Sequence, residues 1–198
     1  MQLLSPIQLS EELRTARSPH LRRRRWTLGL SLLGVAGGSI VGLYQMGILK
    51  RLPDIPSKYF NATKVDASEY GYKFLQSPDA LLMIANYAVT AILTGAGGKE
   101  RARDLPAVPI ALAGKTFYDL LTNLFLAKEE WKYNKAFCGY CQSATIASLI
   151  SFLFSLPEAR EAVRNLRGEI QESSDTRGDS QVSRDEYDYE QGFEYAHV

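Results

Sequence analysis

Cysteine and histidine are nearly missing from this chain. Its 198 residues include two Cys, at 138 and 141, and two His, at 20 and 197. Two cysteines cannot staple a small secreted domain, so a disulfide framework is excluded. A zinc site built on the pair would lack nearby partners, and two sulfurs alone bind zinc poorly, so no metal is expected. Charge is missing too, but only locally. Trp26 to Leu49 carries none over 24 residues, and Ala136 to Pro157 none over 22. Roughly 20 apolar residues as a helix span a bilayer. The mean hydropathy of -0.17 hides this, because it averages polar ends with an apolar middle.

The net charge of +1 is equally uninformative, whereas its distribution is not. The first 25 residues hold six Arg and two Glu, and residues 168–198 hold nine acids and two Arg. The Arg22–Arg25 run abuts the first uncharged stretch. That position reads as a cytoplasmic anchor of a membrane helix rather than a nucleic-acid surface, and no nucleic-acid partner is expected. The acidic tail from Gly168 is rich in Ser, Asp, Glu, Gln and Gly, and its composition predicts disorder.

Four spans follow from the hydropathy pattern, at about 26–49, 80–98, 105–127 and 136–157. The first is too long for the apolar part of a removable leader. It carries Gly34, Gly38 and Gly42 at intervals of four, a spacing that lets a neighbouring helix approach closely. The third contains Lys115 and Asp119, four apart on one helix face and able to pair. Residues 158–167 read as a helical extension of the fourth. Between the first two spans lies a polar connection, Lys50 to Asp79, with Pro53 and Pro56 near its start. Val65, Ser68, Tyr72 and Leu75 recur there at helical spacing and predict a short amphipathic helix on the lipid surface. The organisation is thus a basic segment 1–25, a four-span domain 26–167 and an acidic tail 168–198. The fold class is an all-α membrane protein, a four-helix transmembrane bundle whose direct environment is membrane lipid.

Four spans put both ends on one side. That side carries twelve basic residues near the membrane, against eight on the other, so both termini are expected in the cytoplasm. The fourth helix then starts at the outer face, with the Cys-x-x-Cys pair in its first turns. Residues three apart share a helix face, and a helix N-terminus favours the reactive thiolate. The pair is therefore redox-capable and faces a compartment where disulfides persist. Cys138 is expected to be the more exposed thiol and Cys141 the deeper one.

Phe137-Cys138-Gly139-Tyr140-Cys141 at the head of an apolar helix, the long outer loop, Pro78 followed nine residues later by Tyr87, and Val65-Asp66-Ala67-Ser68 together resemble the vitamin K epoxide reductase family over about residues 26–160. The resemblance implies thiol–disulfide exchange coupled to reduction of a membrane quinone. Cys138 and Cys141 would be catalytic, with the quinone as substrate and electron acceptor and no metal. A thioredoxin-like periplasmic or lumenal protein would be the donor. Ser68, Asp79, Asn86, Tyr87 and Thr145 would be candidates for the quinone pocket. A bacterial plasma membrane or a thylakoid would be the location. The chain departs from the family in two places. Lys50–Asp79 has no cysteine, with Phe60-Asn61-Ala62 standing where a relay pair is expected, and Thr145 replaces the pocket tyrosine. These departures leave a second reading open: a non-catalytic assembly or scaffold protein of the same fold with a static Cys pair.

Overall fold

A computed structural model describes residues 5–72 and 76–194. Seven α-helices run in order: α1 (Pro6–Thr15), α2 (Pro19–Gln45), α3 (Ala62–Asp66), α4 (Asp79–Gly95), α5 (Arg101–Asp104), α6 (Ala107–Asn134) and α7 (Gly139–Glu194). No strand occurs among the described residues.

Local chemistry sets the helix starts. Ser5 caps α1 in a capping box with Gln8, and Ser18 caps α2 by accepting a hydrogen bond from Leu21 N at 3.1 Å, with Pro19 in the first turn. The Arg22–Arg25 run therefore lies inside α2 rather than ahead of it. The connection holds α3 and a 3-10 turn, Glu69–Tyr72, instead of one amphipathic helix; Asn61 starts α3 by accepting from Lys64 N at 2.9 Å. Leu75, the last position of the predicted periodicity, lies outside the described residues. Composition predicted disorder for 168–198, yet the backbone of α7 continues to Glu194, and residues 195–198 lie outside the description. No proline follows Pro157, and Glu, Gln and Arg are good helix formers.

Helices α2, α4, α6 and α7 pack as one bundle, α2 against α4 and α7, and α6 against α4 and α7. Their interior is built from small and hydroxylated residues. Thr27, Ser31, Gly34 and Gly38 of α2 are buried, as are Ala144, Ala147, Ser148, Ser151 and Ser155 of α7. Large aliphatics point outward: Leu33 and Ile92 are each 70% exposed, and Leu121, Leu124, Ile146 and Leu153 also face out. A soluble core is arranged the other way round. Lipid gives helices no reason to hide leucine, so small residues meet in the interior and bulky ones face the hydrocarbon. By length and composition α2 and Gly139–Gly168 of α7 can cross a membrane, while α4 is a shorter apolar helix of 17 residues.

The glycine spacing in α2 serves close packing. A Cβ on Gly34 would lie 2.5 Å from the Tyr87 ring, and one on Gly38 would meet Ile84 at 3.0 Å. Tyr87 in turn donates from its hydroxyl to the Ala144 carbonyl at 3.1 Å, tying α4 to α7. Gly34→Ala is therefore expected to lower stability by about 1–3 kcal/mol through overpacking. Gly29→Ala, where nothing lies within 4 Å, should leave thermal unfolding in detergent unchanged or slightly raised. Equal melting temperatures for the two variants would refute the packing argument.

Lys115 and Asp119 pair as expected, Nζ to Oδ2 at 2.6 Å, and Lys115 also donates to the Asn86 carbonyl at 2.8 Å and to the Thr90 hydroxyl. The bundle end remote from the cysteines is closed by two arginines. Arg24 donates to the carbonyls of residues 94–98, and Arg101 to those of Leu93, Thr94 and Ala96. The last carbonyls of α4, which have no partner within the helix, are satisfied this way. Arg24 is thus buried, a helix cap rather than a surface anchor. Arg22 and Arg25 remain exposed, and Arg25 caps α1 through Leu13 O and Ala16 O.

Candidate active site

At the opposite end, Cys138 is the residue that starts α7. Its carbonyl accepts the first helical bond, from Gln142 N at 3.0 Å, and its sulfur accepts from Cys141 N at 3.4 Å. The sulfur takes the place that a serine or aspartate oxygen usually fills at an N-cap. Unpaired amides and the positive end of the helix both favour negative charge there.

The outer loop folds over this start. Phe137 N donates to the Tyr59 carbonyl at 2.8 Å and Asn61 N to the Phe137 carbonyl at 3.0 Å, a short parallel bridge between loop and helix entry. The Phe137 ring stacks on Trp131 with centroids 5.1 Å apart and meets Phe60 at 6.2 Å. Asp54 accepts from Ala62 N and fixes the start of α3. So held, α3 brings Asp66 against the dithiol, and the Cys138 thiol donates to Asp66 Oδ2 at 3.1 Å. Val41, Leu52, Ala62, Val65, Ala80 and Ala136 form one buried cluster with Cys138.

The expected order holds for depth, with the Cys141 thiol packed deeper than that of Cys138, and fails for exposure. Cys138 is 0% exposed and Cys141 is half-buried, because the loop covers the outer thiol. Both are free thiols. A second carboxylate, Glu130 near the end of α6, accepts from Cys138 N at 3.2 Å and Gln142 Nε2 at 3.1 Å, and the Cys141 thiol also hydrogen-bonds to it.

Burial dominates the electrostatics of both carboxylates. It pushes Glu130 up, against the hydrogen bonds that hold it down. It pushes Asp66 up from 3.8 to about 7, opposed by the Cys138 hydrogen bond and helped by the negative charges of Asp79, Glu130 and Asp54. A carboxyl raised on folding works against stability once ionised. For Asp66 the penalty is absent below pH 3.8, grows as the pH rises toward about 7 and is complete above it.

An Asp66 oxygen and the two sulfurs lie within 4.8 Å of one another. The pair thus does have a nearby oxygen partner, supplied from 72 residues away in the chain.

The pocket candidates make separate local contacts. Ser68 bonds its own turn at Val65 O, and Thr145 bonds back to Cys141 O. Asp79 accepts from Gln45 Nε2 at 2.6 Å and lies within electrostatic reach of Asp66. Asn86 binds Lys115 through its carbonyl, and Tyr87 is buried among helices. The groove beside the dithiol is lined instead by Pro53, Asp54, Ile55, Pro56, Gly139, Tyr140 and Ser143, with the Tyr140 hydroxyl donating to Pro53 O at 3.0 Å. Sequence reasoning missed this groove, Asp66 as a thiol partner, and Glu130.

An inside-out helical bundle that sets two free thiols side by side at a helix start, between carboxylates, has the form of a membrane thiol oxidoreductase. Residues 25–156 match the model of the vitamin K epoxide reductase family, and the chain belongs to that family, a helical membrane fold of oxidoreductases. A search of curated proteins finds no match to the chain.

Proposed function

We propose that the protein passes two electrons from an external dithiol partner through Cys138 and Cys141 to a membrane quinone. The carrying observation is the pair itself: two reduced thiols, a few ångströms apart, with one sulfur at a helix N-cap. Oxidation of the dithiol forms one S–S bond and releases two electrons and two protons, which convert a quinone to its hydroquinone. A thioredoxin-like protein on the outer side then reduces the disulfide. The loop has no cysteine to relay electrons, so the partner meets the pair directly, and the groove along Pro53–Pro56 and Tyr140 is where it has access.

The proposed setting is a four-span protein with both termini in the cytoplasm of a bacterial plasma membrane or the equivalent side of a thylakoid. One observation favours the static-pair reading, namely the complete burial of Cys138 under the loop. Thiol labelling separates the two. Reduced membranes incubated with a short-chain quinone should lose both free thiols, and a dithiol reductant should restore them. A pair that stays in one state whatever the quinone would leave the scaffold reading in its place.

A further inference from the structure

We propose that Asp66 is the proton acceptor for the Cys138 thiol when the Cys138–Cys141 disulfide forms. The inference deepens the redox reading above and rests on it for the identity of the physiological oxidant.

Geometry selects Asp66. The Cys138 thiol points its hydrogen at Asp66 Oδ2, 3.1 Å away, and Asp66 is 2% exposed, so water does not compete for that proton. Glu130, the other carboxylate at the pair, already accepts from two N–H groups, which favour its charged form. Among the described residues no N–H donates to the Asp66 carboxylate. Among the described residues the groups acting on it are acidic or neutral: Asp54 and Tyr72 from the connection, Asp79 from α4, Glu130 from α6, and Cys138, Tyr140 and Cys141 from α7. Among the described residues no cation acts on it. Burial and these charges raise its proton affinity to about pH 7, where a base can both take a proton and give it up.

The step balances as follows. The Cys141 thiol gives up its proton to Glu130, to which it hydrogen-bonds, and its sulfur adds to the oxidant and surrenders an electron pair to it. Cys138 sulfur then attacks Cys141 sulfur, the S–S bond forms, and the bond from Cys141 to the reduced oxidant breaks. The Cys138 proton passes to Asp66. Two electrons and two protons leave the dithiol in all; Glu130 and Asp66 hand the two protons on to the reduced oxidant or to solvent. In the reverse direction, when the partner reduces the disulfide, protonated Asp66 returns the proton to Cys138.

The test follows the rate of disulfide formation in the reduced full-length protein, in lipid nanodiscs, from pH 5.5 to 9. Two oxidants are used in parallel, a short-chain benzoquinone and the azo compound diamide. Wild type should accelerate up to about pH 7 and then level off with both. Asp66→Asn removes the base together with its ionisation penalty, so the fold is retained. It should be roughly 100-fold slower at pH 7, the lower end of what a positioned base contributes, and its rate should keep climbing with pH without levelling. Asp66→Glu restores a carboxyl and should restore the plateau. If Asp66→Asn keeps the wild-type profile, or if a folded Asp66→Glu lacks the plateau, the proposal is overturned. An Asp66-dependent plateau with diamide, alongside no oxidation by quinone in any variant, would support the role of Asp66 and sink the quinone reading.

Discussion

Replacing either cysteine with serine is expected to abolish quinone-dependent turnover. The chain has two cysteines in all, so no third thiol can resolve a trapped intermediate. The loss should be complete within detection, whereas a change away from the pair such as Ser39→Ala, at an exposed residue, should leave turnover within a few-fold. The two serine variants should nonetheless differ in thiol reactivity. Cys138→Ser leaves Cys141 half-buried, while Cys141→Ser leaves Cys138 beneath Phe60, Asn61 and Asp66. A membrane-permeant maleimide should therefore label the Cys138→Ser protein faster. The opposite order would mean that the loop does not cover the helix start in lipid, and the burial argument would fail. The same comparison bears on the partner. Capture of a thioredoxin-like protein on Cys138 requires the bridge between Phe60 and Phe137 to open, so weakening it with Phe60→Ala should increase the trapped adduct.

What the chain reveals before folding is what depends on nearby residues. The bundle helices show themselves as uncharged runs, the packing role of Gly34, Gly38 and Gly42 follows from intervals of four, and Lys115 and Asp119 are one turn apart. The thiol pair and its helix are likewise contiguous. The features that were not legible join distant segments. Asp66 and Cys138 are 72 residues apart, and although Asp66 stands in the Val65–Ser68 stretch of the resemblance, nothing in that stretch marks it as a thiol partner. Only the folding of Tyr59–Asn61 onto Phe137 brings it in. Arg24 did carry a signal, in its phase rather than its type. It shares a face with Leu21, Thr27 and Ser31, all buried, while Arg22 and Arg25 fall on the outer side. Counting the run as four equivalent positive charges discarded that phase. The tail differs again, since low hydrophobicity argues for disorder while its Glu, Gln and Arg content permits the helix that continues from α7.

Arg101 and Glu158 should give the largest stability effect outside the dithiol. Their side chains are 0% and 4% exposed, and they meet through two parallel contacts, Nε to Oε1 at 2.9 Å and Nη2 to Oε2 at 2.8 Å. Arg101→Met would strand a buried carboxylate and also take from the Leu93 carbonyl its side-chain donor. Breaking a buried pair from one side costs about 3–5 kcal/mol, much of it the charge left behind. Replacing both partners, Arg101→Met with Glu158→Leu, removes that charge and should cost less than Arg101→Met alone. Arg24 still serves the Thr94 and Ala96 carbonyls in every variant, so the end of α4 stays capped. A double-mutant cycle on thermal unfolding in detergent measures the coupling. Purely additive costs would show that the two side chains act independently and that the closure comes from carbonyl capping alone. The pair lies at the bundle end remote from Cys138, so the labelling rate of the thiols well below the melting temperature should not change. A variant that melts early yet labels at the wild-type rate separates the lock on one end of the bundle from the chemistry at the other.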